Sequence, residues 1–94
     1  MATYFMFGKY SAHAMREITS GRTQESVKSV ERFGGSVKAI YALLGEHDLV
    51  MIVDLPDTEH ALKASVALGK LTGISFSTAR AVPIEEFDRM IEDV

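Results

Sequence analysis

Few residues in this chain have chemistry to offer, and they are scattered. His47 and Asp48 stand side by side, and a carboxylate next to an imidazole can raise its pKa and orient it for proton transfer near neutral pH. The spacing also has a plainer reading. Neighbouring residues on a strand point to opposite faces, and both types recur in turns for backbone reasons. On that reading Gly45 gives the turn its backbone freedom and Asp48 bonds local amides. Lys9 and Arg80 offer cations to an anionic ligand, although Lys9 equally suits a snorkelling role with its stem on a sheet and its charge in water. Tyr10 and Tyr41, with Tyr4, supply aromatic walls carrying a hydroxyl, which fits a ligand pocket or ordinary strand packing.

Other constellations exclude more than they suggest. His60 follows Asp57 by three residues and His13 stands far away; a cap followed by an exposed histidine accounts for the pair, and two ligands fall short of the three or four a zinc site needs. Gly34-Gly35 ends a helical pattern instead of opening one, so its amides are not arranged for a phosphate. Ser65, Ser75 and Ser77 have no base identifiable beside them, which leaves no signal for hydrolysis. With no cysteine, disulfides, thiolate metal sites and cysteine nucleophiles are excluded. The expectation is no metal and no cofactor.

Ninety-four residues with 47% apolar and 24% charged side chains suit one globular domain, residues 1–94, and are too few for two cores. A domain this small buries only about 60–65% of its unfolded surface and gains from association. The net charge is −3, and the basic residues form no block, which argues against a nucleic acid or an anionic membrane as partner. No stretch of about 18 apolar residues occurs, and the amino terminus lacks a basic region followed by an apolar run. A cytoplasmic protein is expected.

The elements that must position these side chains follow from periodicity. Thr3 to Tyr10 reads as a strand with apolar residues on both faces, Tyr4, Met6, Gly8 and Tyr10 against Thr3, Phe5, Phe7 and Lys9. Ser11 to Gly21 gives one helical turn at most. Arg22 to Phe33 follows as a helix with Val27, Val30 and Phe33 inward and Gly34-Gly35 as its stop. Val37, Ala39, Tyr41 and Leu43 alternate with Lys38, Ile40, Ala42 and Leu44 in a second strand, and Gly45 to Asp48 makes a tight turn. The third strand sets Leu49, Met51 and Val53 against Val50 and Ile52, and Pro56 ends it. Asp57 caps a second helix running to about Lys70, with Ala61, Leu62, Ser65, Val66, Leu68 and Gly69 as its packing face. Ile74 to Val82 is a fourth strand, and Pro83 introduces a closing helix from Ile84 to Ile91.

Right-handed crossovers and short antiparallel turns reduce this βαββαβ order to one leading architecture, a ferredoxin-like α+β sandwich with a four-stranded antiparallel sheet. The first and third strands are then central, and both long helices cover one face. Several of Tyr4, Met6, Phe5, Phe7, Met51 and Val53 would meet water on the other face, and pairing of two sheets removes that exposure. Folding of the closing helix across the face is the competing solution, but about ten residues at about 1.5 Å each cover too little of it.

The stretch Leu44-Gly45-Glu46-His47-Asp48-Leu49-Val50-Met51-Ile52-Val53-Asp54-Leu55-Pro56-Asp57 resembles the turn, strand and helix start of GYD-domain proteins. Leu68 to Gly73, Arg80-Ala81, Glu85-Glu86-Phe87, Tyr4 and Lys9 match as well. The chain departs from the pattern at His47, where the family typically carries tyrosine. The resemblance implies a dimeric α/β barrel, an architecture shared by small-molecule sensors, cofactor-free oxygenases and isomerases. Fold alone does not choose among these. The readings that follow are a homodimer or larger homo-oligomer binding a small molecule between its sheets, with Lys9, Tyr10, Tyr41 and Arg80 as contacts; a cofactor-free enzyme with His47 as acid or base; and a plain assembly domain.

Overall fold

The computed structural model describes residues 1–94. Strand β1 (Ala2–Tyr10) is followed by a one-turn helix α1 (Ala12–Arg16), helix α2 (Ser20–Arg32), strands β2 (Ser36–Ala42) and β3 (Leu49–Leu55), helix α3 (Thr58–Thr72), strand β4 (Ile74–Ala81) and helix α4 (Ile84–Met90). The sheet order is β2-β3-β1-β4 with every neighbour antiparallel, so β1 and β3 are central, as their doubly apolar patterns require. No helix is long and apolar enough to cross a membrane.

Local chemistry fixes the helix limits. Ser11, Thr19 and Asp57 each accept a backbone N–H from three residues on, satisfying donors that a helix start leaves free. Gly34 lies just beyond α2 with φ 82° and Gly73 caps α3 with φ 74°, left-handed positions that glycine occupies without the clash a Cβ brings. Of the two glycines expected to stop α2, Gly34 provides the left-handed turn. Gly35 serves close packing, because a Cβ there would strike the Asp54 carbonyl oxygen and the Leu55 side chain.

The core lies between the sheet and the helices α2 and α3. Met6, Met51, Val53, Leu55, Val30 and Leu68 are its largest fully buried side chains. Because Tyr4, Met6 and Gly8 pair across β1 and β3 with Val53, Met51 and Leu49, these residues share the helix-covered side. Phe5 and Phe7, paired with Ile52 and Val50, share the other. The exposed face predicted for the sheet is therefore carried by Phe5 and Phe7; Tyr4, Met6, Met51 and Val53 are buried beneath the helices.

Two expectations change. The register between β2 and β3 shifts between Val37 and Ala39, a bulge at Lys38 that breaks the alternation of the strand. Val37 and Ile40 consequently both pack against the core, while Ala39 and Tyr41 join the open face, and the strand ends before Leu43 and Leu44. In α3 the buried residues are Ala61, Ala64, Leu68 and Thr72. Leu62 and Val66, expected to face the sheet, are 63% and 57% exposed.

Candidate functional site

The sheet face turned away from the helices holds most of the side chains with something to offer a ligand or a partner. The pairing places Tyr41 beside Val50, Val50 beside Phe7 and Phe7 beside Ser77 in one row. The next row runs from Ala39 through Ile52 and Phe5 to Ala79. The Phe5 and Phe7 rings stand 6.3 Å apart at 41°, and the His47 imidazole lies 5.1 Å from Phe7 at the same tilt. Three tilted rings thus run in series over an aliphatic floor of Val50 and Ile52. At the far margin Thr3 donates to Asp54 Oδ1 at 2.7 Å and Lys38 reaches Asp54 Oδ2 at 3.4 Å, so this carboxylate is already engaged.

The segment between β2 and β3 brings His47 to that face. Asp48 accepts from the Tyr10 backbone N–H at 2.7 Å through Oδ2, and its own N–H donates to the Gly8 carbonyl at 2.8 Å. Its carbonyl accepts from the Leu43 N–H at 2.8 Å, closing the loop at its base. Lys9 donates to the Glu46 carbonyl at 3.0 Å. His47 and Asp48 therefore diverge, the imidazole onto Phe7 and the carboxylate to the end of β1. Asp48 has the amide-binding role expected of it, but the amide belongs to a strand distant in sequence.

The remaining expected ligand residues are dispersed. Tyr41 is 57% exposed on the open face, in the row of Phe7. Tyr10 belongs to the helix side and lines a notch of about 150 Å³ at the end of the sandwich, with Ile40, Leu49, Met51 and Phe76 beneath it. Arg22, which sequence reasoning did not single out, covers the notch. Its guanidinium lies 5.4 Å from the Tyr10 ring centroid, and Nη1 donates to the Ala14 carbonyl at 2.5 Å. The nearby Ser26 hydroxyl donates to the Arg22 carbonyl, so polar groups here are spent on the fold. Arg80 pairs with Tyr4 and Lys9 with Ser75; five residues of strand, about 17 Å, separate those positions along the sheet. Arg80 borders a different depression, beside Thr58, Ser65 and Thr78.

Asp57 accepts both the backbone N–H and the ring Nδ1–H of His60, the latter at 2.6 Å. The bond from His60 holds the Asp57 carboxyl below the ordinary carboxylate range. This is a helix cap with an imidazole closing over it. No three His, Asp or Glu side chains gather anywhere in a geometry suited to a metal ion.

A four-stranded antiparallel sheet with two helices on one face and an aromatic row on the other defines a ferredoxin-like α+β module. The same fold occurs in the crystal structure of the Mycobacterium tuberculosis leucine response regulatory protein, at 11% identity and a TM-score of 0.59, with 87% of this chain matching 51% of that one. It occurs also in an AsnC family transcriptional regulator from Agrobacterium tumefaciens, at 19% identity and TM-score 0.59, over 87% and 50% of the two chains. This chain thus spans about half the length of those regulators. A hypothetical protein from Pyrococcus horikoshii matches over 92% of its length and 88% of this chain, at 23% identity and TM-score 0.53. Comparison with curated proteins yields no match. The chain belongs to the GYD domain family, whose model matches residues 4–91.

Proposed function

We propose that this GYD domain is a homodimeric small-molecule-binding module whose open sheet faces pack on each other, with the ligand held between them beside His47 and Tyr41. The observation that carries the reading is the ring series Phe5, Phe7 and His47 over Val50 and Ile52, on the face the helices leave uncovered. An apolar row of this kind is costly in water, and a standard interface of about 800 Å² per partner removes it. His47, Tyr41 and Lys9 contribute polar groups at the end of the row, suited to orienting an aromatic or aliphatic molecule with a polar end. The fold shared with regulators, one of them named for its response to leucine, supports a sensing role over a structural one.

A cofactor-free enzyme using His47 as acid or base is the second reading, favoured by the imidazole's place on the open face. It is the weaker one, because Asp48 is spent on the Tyr10 amide and does not orient the ring.

Native mass spectrometry of the protein as purified tests the proposal. The expected result is a dimer carrying a small molecule, with both lost in Phe7→Lys. A monomer at micromolar concentration overturns the assembly, and a dimer with no retained or added ligand reduces the module to an assembly domain.

A further inference from the structure

A second apolar surface lies on the opposite side of the molecule, where α3 runs beside α2. Leu62, Val66 and Leu71 form its floor in a groove of about 690 Å³, and Arg32, Lys63 and Lys70 border it with no acidic residue in the lining. The Arg32 guanidinium lies 5.1 Å from the Phe33 ring, and Lys63 is loosely paired with Glu59 at 3.8 Å. The three apolar floor residues are between 47% and 63% exposed. Leu62 and Val66 stand one helical turn apart on the side of α3 away from the sheet, so the fold gives this stripe no internal partner.

Helix α4 has the complementary character. None of its residues is buried, and Ile84, Phe87 and Ile91, at spacings of three and four, form one stripe that is 45% to 63% exposed. Around the stripe are Glu85, Glu86, Asp88, Glu92 and Asp93, with Arg89 as the one base. Seven residues of helix extend about 10 Å and the stretch of α3 from Leu62 to Leu71 about 14 Å, so the helix fits within the length of the groove.

From this pairing of shape and charge we infer that α4 docks in the α2–α3 groove of a second copy of the chain. Within its own chain α4 does not occupy the groove, since none of its residues is buried. Only Val82 and Pro83 join β4 to α4, and α3, about 10 Å across, stands over β4 between that strand and the groove. A copy packed sheet to sheet is equally unsuited, because its groove faces away on the far side of its own helix layer. The contact is therefore heterologous, one surface meeting a different one, and builds a ring or an open array beyond any sheet-paired dimer. It uses a face that the ligand-binding proposal leaves free and does not depend on it.

Sedimentation velocity across a concentration series provides the test, with three variants: a groove variant Lys63→Glu/Lys70→Glu, a helix variant Glu85→Lys/Glu86→Lys/Glu92→Lys and the apolar variant Phe87→Ser. The wild-type protein is expected to form species larger than a dimer as concentration rises. Each variant alone should lose those species, and mixing the groove and helix variants should recover them, since every α4 then meets a groove of opposite charge. Circular dichroism confirms that each variant keeps its fold. The inference is overturned if the wild type never exceeds a dimer, if either charge-reversed variant assembles like the wild type, or if Phe87→Ser splits the dimer itself, which would assign α4 to the sheet interface.

Discussion

The Asp48 carboxylate receives the backbone N–H of Tyr10 at 2.7 Å, joining the turn before β3 to the last residue of β1. The same residue exchanges backbone bonds with Gly8 and Leu43, so one aspartate ties together three segments at the sheet's end. Replacement by alanine leaves the partly buried Tyr10 N–H without its charged acceptor, at a cost of about 1–3 kcal/mol. Asp48→Asn keeps an acceptor oxygen and should lose less. Urea denaturation measures both. Because the loop carries His47, Asp48→Ala should also blur the position of the imidazole on Phe7, visible as a shift of the His47 ring signals in an NMR spectrum.

The bulge at Lys38 makes a sharper demand on β2. Simple alternation puts Tyr41 on the same side as Val37 and Ile40 on the opposite side, whereas the register sets Ile40 against Met51 in the core and Tyr41 against Val50 on the open face. Ile40→Ala should therefore destabilise each subunit by about 2 kcal/mol, near the lower limit for such truncations because the side chain is only half-buried. Tyr41→Ser should leave subunit stability nearly unchanged and weaken self-association instead. Thermal denaturation and sedimentation, measured on both variants, separate the two effects; the reverse pattern would mean that the strand continues without a bulge.

Strands β1 and β3, the Asp57 cap of α3 and the glycine stop of α2 were legible in the sequence because each rests on a signal of a few adjacent residues; the Ser11 and Thr19 caps, inside a stretch that reads as one turn at most, were not. Phe5 and Phe7 against Tyr4 and Met6 is such a signal, and so is Asp57 ahead of α3. What escaped depends on contacts between segments. Nothing local distinguishes the bulge at Lys38, which alters the side assignment of every residue before it. On α3 apolarity points to Leu62 and Val66 beside Ala61 and Leu68, yet the sheet takes Ala61, Ala64 and Leu68, the alanines allowing close approach, and leaves Leu62 and Val66 outside. Arg22 over Tyr10 joins residues far apart in sequence, and no pattern in α2 announces it. His47 and Asp48 stand next to each other in sequence but meet different partners, the Phe7 ring and the Tyr10 amide.

Gly8 lies on the helix-covered face near the end of β1, where a Cβ would lie 2.7 Å from Leu49 Cδ2 and 2.9 Å from Ile74 Cγ2. Both distances are below contact range, and both neighbours are themselves buried, so they cannot simply swing aside. Gly8→Ala should cost about 1–3 kcal/mol through overpacking, in spite of the backbone entropy that alanine would otherwise save. Pairing with Leu49→Val relieves part of the clash and should recover part of the loss. A double-mutant cycle from urea midpoints measures that coupling.

Acid should act on α3 through Asp57. Its carboxyl lies below the ordinary range chiefly because the His60 side chain bonds it, with the His60 backbone N–H adding to the effect. A folded-state pKa below the unfolded one means that folding favours the ionised form. The stabilisation is therefore complete above the unfolded value of about 3.9 and is lost as pH falls through the lower, folded value. Asp57→Asn keeps a capping oxygen but has no proton to gain. The variant should accordingly be less stable than the wild type at pH 6, its stability should fall less steeply as the solution is acidified, and the gap between the two curves should narrow once the pH drops below about 3.9. Urea midpoints between pH 6 and 3 report this directly. Parallel curves for the two proteins would show that the Asp57–His60 bond contributes nothing to the stability of the helix start, despite its short length.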